Sequence, residues 1–169
     1  MKTRKLTTMA LLSAVALTIF IIEAQIPALI PIPGVKLGLA NIVTVFAVFA
    51  LGAKEGAGIL FVRIFLGAIL SGNFGSIFYS AAGGLLAILA TIALKLVVRE
   101  SQIWICSCLA AVAHSIGQII VAIWISGTTS VLLYLPVLIV CSIITGLFTG
   151  LCAQILIIKG KDLWKTIFK

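Results

Sequence analysis

The chain has 169 residues, 63% of them hydrophobic and only 9% charged, and its 12 basic and 4 acidic side chains give a net charge of +8. That composition excludes a single soluble globule, which would lack the polar side chains to cover its apolar surface. The positive balance does not point to nucleic acid either, because the basic residues fall in short clusters between apolar runs and form no basic face or stripe.

One integral membrane domain over residues 1–169 is expected: all-α, a polytopic bundle of six transmembrane helices, since six stretches reach or approach the ~20 residues that cross hydrocarbon. The first, Leu6–Ala24, follows a charged start with the outline of a signal peptide, but no small-x-small cleavage site precedes Gln25, so it reads as a retained span. Gln25–Lys36 then holds three of the four prolines, Pro27, Pro31 and Pro33, and cannot continue a helix. It is expected as an extended outer loop, in which Pro31, Pro33, Gly34 and Lys36 form either a gate over the bundle mouth or a rigid interfacial connector. Spans two and three, Leu37–Ala53 and Glu55–Ser71, are short and joined by a tight turn, Gly52–Gly56, so a re-entrant hairpin is the alternative to two crossings. Spans four to six are Ser76–Val98, Ile103–Ile125 and Val131–Ile158. The basic tail, 159–169, either lies on the anionic leaflet as an interfacial helix or acts as a positive stop.

Lysine and arginine close to helix ends are retained on the cytoplasmic side. With the N-terminus inside, that side holds Lys2, Arg4, Lys5, Lys54, Lys95, Arg99, Lys159, Lys161, Lys165 and Lys169, the outer side holds only Lys36, and Arg63 lies within a span. Both termini are therefore expected in the cytoplasm, with the chain multi-pass in the plasma membrane.

Side chains that hydrocarbon disfavours mark the expected site, because an ionisable group near a helix centre costs about 2.5–3.5 kcal/mol on insertion scales. Arg63 lies too deep in span three to snorkel. It faces either an anionic ligand, which a guanidinium grips bidentately, or a structural partner such as Glu23 or Asn41. His114 and Gln118 are four residues apart and share one face of span five, where they either orient a ligand or hydrogen-bond between helices. Glu23, Asn41, Asn73 and Tyr134 lie toward the outer ends of their spans, and together with Arg63, His114 and Gln118 form the expected substrate-binding set. Trp124 and Tyr134 either stack on a ligand ring or belong to the interfacial aromatic belt. Ala10 with Ala14, and Gly146 with Gly150, are spaced for close helix approach.

The chemistry of a catalyst is missing. No P-loop occurs, the one aspartate is Asp162, and the cysteines Cys106, Cys108, Cys141 and Cys152 have no metal-ligand spacing. No enzyme activity, metal site or cofactor is expected, and an aspartate cluster that holds magnesium against a diphosphate cannot be assembled.

The runs IPIPGVKLGLANIVTVFAVFALGAKEG, VRIFLGAILSG, SAAGGLLA and AVAHSIGQIIVA resemble the Gx transporter family, also labelled heptaprenyl diphosphate synthase component I, from about Leu6 to Ile158. That family is similar to the substrate-binding S components of energy-coupling factor transporters. The resemblance implies that the Pro-rich loop is a gate, that Ala10 and Ala14 contact a coupling membrane subunit, and that separate ATPase subunits drive transport. The first expectation is thus a binding subunit for a small anion, a flavin, vitamin-like or prenyl-phosphate compound, with Arg63 as charge contact and Asn41, His114 and Gln118 orienting it. Its partners would be that small molecule, membrane lipid and the coupling subunits, with no nucleic acid. The alternatives are a membrane component of flavin-based extracellular electron transfer or quinone metabolism, and a non-catalytic component I beside an Asp-rich synthase subunit.

Overall fold

The computed structural model describes the backbone of residues 2–25 and 36–168 and the side chains of 3–25 and 36–160. Among these residues all regular structure is helical: α1 (Lys2–Gln25), α2 (Asn41–Ala50), α3 (Ala53–Ser71), α4 (Ser76–Lys95), α5 (Ile103–Ser126) and α6 (Leu135–Phe168), with single 3-10 turns at Glu100–Gln102 and Thr129–Tyr134. Four segments, Thr3–Gln25, Ser76–Lys95, Glu100–Ser126 and Thr129–Gly160, are long and apolar enough to cross a bilayer. The chain is a membrane-embedded helical protein.

The expected second span, 37–53, is helical only through the 10 residues of α2. Ten residues make about 15 Å of helix, half of the ~30 Å of hydrocarbon. Glycines set both limits, since Gly38 has φ 80° and Gly52 has φ 127°, backbone that side-chain-bearing residues rarely adopt. α3 has sufficient length at 19 residues, but Lys54, Glu55 and Arg63 interrupt its apolar run. Of the six expected spans, four are helices long and apolar enough to cross, and the two expected to be short correspond to the ten-residue α2 and the charge-interrupted α3.

The short helix is central. Seven of its ten residues are buried, which makes it a core element and not an interfacial one. Val45 and Phe46 pack with Ile103, Ala153 and Ile157 of α5 and α6, Val43 and Ala47 with Ala16 and Ile59 of α1 and α3, and Val48 with Leu60 and Ile88 of α3 and α4. Its C-terminal end lies at a basic end of the bundle, where Lys95 Nζ donates to Val48 O at 2.6 Å and Lys5 pairs with Glu55 at 2.6 Å. Its N-terminal end is inside the bundle. A Cβ on Gly38 would lie 3.3 Å from His114 Cδ2, and His114 is the twelfth of the 24 residues of α5.

Close helix contacts fix the other half of the molecule. A Cβ at Gly146 would fall 2.7 Å from Cys108 Cα and one at Gly150 2.6 Å from Trp104 Cα, so both glycines let α6 meet the α5 backbone. Hydroxyl pairs tie the same two helices, Ser107 with Thr149 at 3.1 Å and Ser115 with Ser142 at 2.5 Å. Ala10 and Ala14, in contrast, are exposed on the outside of α1. Between α4 and α5 the contact is closest at Gly117, whose added Cβ would sit 2.7 Å from Ala82 O and 2.8 Å from Ala82 C. Backbone cannot rotate aside as a side chain can, so Gly117→Ala is expected to push α4 from α5 and destabilise the protein by about 1–3 kcal/mol. Thermal unfolding in detergent checks this, and an unchanged midpoint would show that the two helices separate freely.

Candidate functional site

The site grows out of the way the chain enters α2. Glu23, near the end of α1 and only 6% exposed, accepts from Gly38 N–H through Oε1 at 2.5 Å, with the Ala40 N–H as a second donor. A buried carboxylate thus sits at the positive end of a helix and satisfies amides that precede its first turn. On the other side, Gln118 pairs with the Lys36 peptide. Its amide nitrogen donates to Lys36 O at 3.1 Å and its oxygen accepts from Lys36 N–H at 3.2 Å and from His114 Nε2–H at 3.1 Å. This amide orientation is assigned from the hydrogen bonds, because the reverse would set oxygen against the Lys36 oxygen. Residues 36–40 are therefore clamped between α1 and α5 and carry non-helical backbone to half the height of the bundle, which membrane interiors tolerate where protein surrounds it.

Lys36 stretches back over Phe20, its Nζ 3.5 Å from the ring centroid. That ring also lies against Gly67, where an added Cβ would come within 2.8 Å of Phe20 Cε1.

Arg63 is 3% exposed, and its Nε has no hydrogen-bond partner. Glu23 is near enough to attract it, yet the ion pair found among the described residues is Lys5–Glu55, at the basic end. Two further buried atoms are in the same condition, Asn41 Oδ1 and Thr44 Oγ1, while the His114 ring lies against the Gly83 backbone. Helix periodicity sets these residues on neighbouring faces. From the layer in which Val48 meets Leu60 and Ile88, α2 runs away from the basic end through Thr44 and Asn41 on the face of Val48, while α3 runs the same way through Arg63, three residues beyond Leu60. α4 approaches with Gly84 on Leu60 and Gly83 under the His114 ring, where a Cβ would be 2.9 Å from Nδ1. Arg63 and His114 are in turn within electrostatic reach of each other. Leaving one buried donor or acceptor unsatisfied costs about 1–3 kcal/mol, and native interiors seldom do so. The unsatisfied atoms of Arg63, Asn41 and Thr44 make the region between α2 and α3 the candidate place for something polar.

The structure brings together five of the expected site residues, Glu23, Asn41, Arg63, His114 and Gln118, but with different tasks. Glu23 and Gln118 position the backbone, His114 bonds Gln118 and packs on Gly83, and Arg63 and Asn41 keep free polar atoms. Lys36, expected in the gate, joins them through Phe20. Asn73 and Tyr134 stand apart. Asn73 is exposed and accepts from Ser76 N–H at 3.2 Å at the start of α4, and Tyr134 is 38% exposed in a 3-10 turn. Trp124 is 73% exposed and meets Phe78 edge-on at 6.2 Å, as a belt residue does. Pro31, Pro33 and Gly34 lie outside the described residues. Thr44 was missed by the sequence reading, although it follows Asn41 by three residues and so shares its helical face.

A family model described as heptaprenyl diphosphate synthase component I matches residues 12–156. No curated protein and no solved structure matches the chain.

Proposed function

The chain belongs to the heptaprenyl diphosphate synthase component I family, and from that premise we propose that it is the substrate-binding membrane subunit of a transporter that takes up a small anion and is powered by partner proteins. The observation that carries this reading is Arg63, a cation buried in a membrane bundle whose Nε no protein group satisfies. Glu23 does not discharge that role, because its carboxylate is engaged by the backbone that leads into α2. An anion supplies what the guanidinium lacks.

Energy would come from elsewhere, since the sequence has no nucleotide-binding loop. The exposed Ala10 and Ala14 on α1 suit close approach of a coupling membrane subunit. The gathering of Lys5, Lys54 and Lys95 toward one end supports placing that end, and both termini, at the cytoplasmic face of the plasma membrane. In this reading the chain is not an enzyme. The family name favours a second reading, in which the chain is the membrane partner of a separate, Asp-rich synthase subunit.

Purifying the full chain in mild detergent from its own membranes and identifying what accompanies it by mass spectrometry separates the two. A small anionic molecule, with membrane and ATPase proteins, is the expected result. An Asp-rich soluble protein without any small anion would replace the transport reading by the second.

A further inference from the structure

The turn that joins α4 to α5 at the basic end has the wrong side chains for water. We propose that it is a docking site for an anionic phospholipid, with Leu96 and Val97 at the acyl boundary of the leaflet and Arg99 on the lipid phosphate. Such a contact is independent of what the region between α2 and α3 binds.

Turns that face water are made of glycine, proline and small polar residues, whereas residues 96–98 are Leu-Val-Val. Leu96 is 86% and Val97 82% exposed, more than any other large hydrophobic side chain among the described residues. The backbone holds them in that position. Leu96 N–H and Val97 N–H close the last turn of α4 on Ala93 O and Leu94 O at 3.3 and 3.0 Å, and Val98 N–H returns to Leu94 O at 2.8 Å. Arg99 is then extended, and Glu100–Gln102 turns the chain into α5. Both apolar side chains are thus left with most of their surface uncovered by protein.

Depth supplies the cover. The 20 residues of α4 make about 30 Å of helix, the thickness of the hydrocarbon, so with Ser76 at one boundary the residues just after Lys95 fall at the other. Trp104, in the first turn of α5 and 37% exposed, stands at that level as interfacial tryptophans do. Charge then selects the headgroup. Lys95 is turned inward on Val48 O at 2.6 Å, so the exposed Arg99 is the cation that the turn presents outward. Arg4, Lys54 and Lys159 are exposed at the same end, whereas of its two carboxylates, Glu55 and Glu100, the first is taken by Lys5. A guanidinium beside an apolar pair, in basic surroundings, complements a phosphate carried on acyl chains. A free phosphate would match Arg99 and leave Leu96 and Val97 in water.

The test is fluorescence quenching of the full chain in bilayers. Val97→Trp is the reporter, once Trp104, Trp124 and Trp164 are replaced by Phe, in mixed phosphatidylcholine and phosphatidylglycerol vesicles whose brominated acyl chains are carried on one lipid or on the other. Strong quenching by brominated chains, with little by acrylamide from the water, is the expected result. One basic residue at a membrane surface favours an anionic lipid about fivefold, so brominated phosphatidylglycerol should associate with the reporter about fivefold more tightly than brominated phosphatidylcholine. Arg99→Gln should bring that ratio close to one, and Arg99→Lys should keep most of it. Leu96→Trp in the same background is a second reporter should Val97→Trp not fold. Quenching by acrylamide and not by bromine would overturn the lipid contact and leave the pair as a docking patch for a soluble protein. Equal association of the two lipids, or a preference that survives Arg99→Gln, would overturn the role of Arg99.

Discussion

Arg63→Met is expected to abolish anion binding while leaving the unliganded protein at least as resistant to heat as the parent. Two large terms oppose each other at this position. Removing the charge takes away a buried guanidinium whose Nε–H has no protein partner, and truncating one side of a buried charged contact costs 2–5 kcal/mol or more, about 100-fold in affinity at 3 kcal/mol. In the unliganded protein the balance runs the other way. The guanidinium is 3% exposed with Nε unsatisfied, so its desolvation is only partly offset by Glu23. Replacing buried ion pairs as a whole by apolar side chains is often neutral or stabilising by about 1–4 kcal/mol, and the penalty for removing one partner arises only when the other is left uncompensated. Glu23 itself keeps its backbone donors and Lys36 when Arg63 is gone. Binding and thermal unfolding, measured on the same preparation, decide the matter. A variant that melts well below the parent would identify Arg63 as a structural partner of Glu23, and the ligand reading would then lose its main support.

Glu23→Ala should do the opposite, lowering stability by about 3–5 kcal/mol. Three losses coincide in it. Gly38 N–H loses its acceptor at half the height of the bundle, the positive end of α2 loses its counter-charge, and Lys36 and Arg63 are left to repel each other. Glu23→Gln retains an oxygen for one amide and should fall between the parent and Glu23→Ala. Combining Glu23→Ala with Arg63→Met removes one of the two stranded cations, so the double variant should be more stable than Glu23→Ala alone. Thermal unfolding of the four proteins forms a double-mutant cycle. Strict additivity in that cycle would mean that the two residues do not share a field.

The opposite signs expected for these neighbours follow from what each touches, and that was only partly legible in the sequence. Arg63 and the pair His114 and Gln118 declared themselves, because a charge or an amide in the middle of an apolar run is costly enough to need a reason. The division of labour among them did not. Gln118 serves the Lys36 backbone and Glu23 serves the chain entering α2, and both contacts join residues that are distant in sequence, which periodicity cannot pair. The same cause hid the length of α2. Leu37–Ala53 reads as one apolar stretch, and the positive φ at Gly38 becomes predictable only once a carboxylate from α1 is known to wait for its N–H. Asn73 was grouped with the ligand residues on depth alone, although an Asn three residues before Ser76 at a helix start is a local capping pattern. Tyr134 was grouped in the same way, and its 3-10 turn leaves it 38% exposed.

The central place of α2 also has a consequence for the order in which the molecule can be assembled. A helix of ten residues is too short to be held in a bilayer by its own apolarity, so it depends on neighbours for its burial. Those neighbours are made at very different times. Ala16 precedes it and Ile59 and Leu60 follow closely, but Ile103, Ala153 and Ile157, which enclose Val45 and Phe46, emerge only with α5 and α6. Contacts of such long sequence separation form late, since the intervening chain must first be ordered. His114, which packs on Gly38, also comes from α5. The polar region between α2 and α3 is thus completed near the end of folding, and until the last helix has docked, α2 lacks the support that holds Asn41 and Thr44 in place.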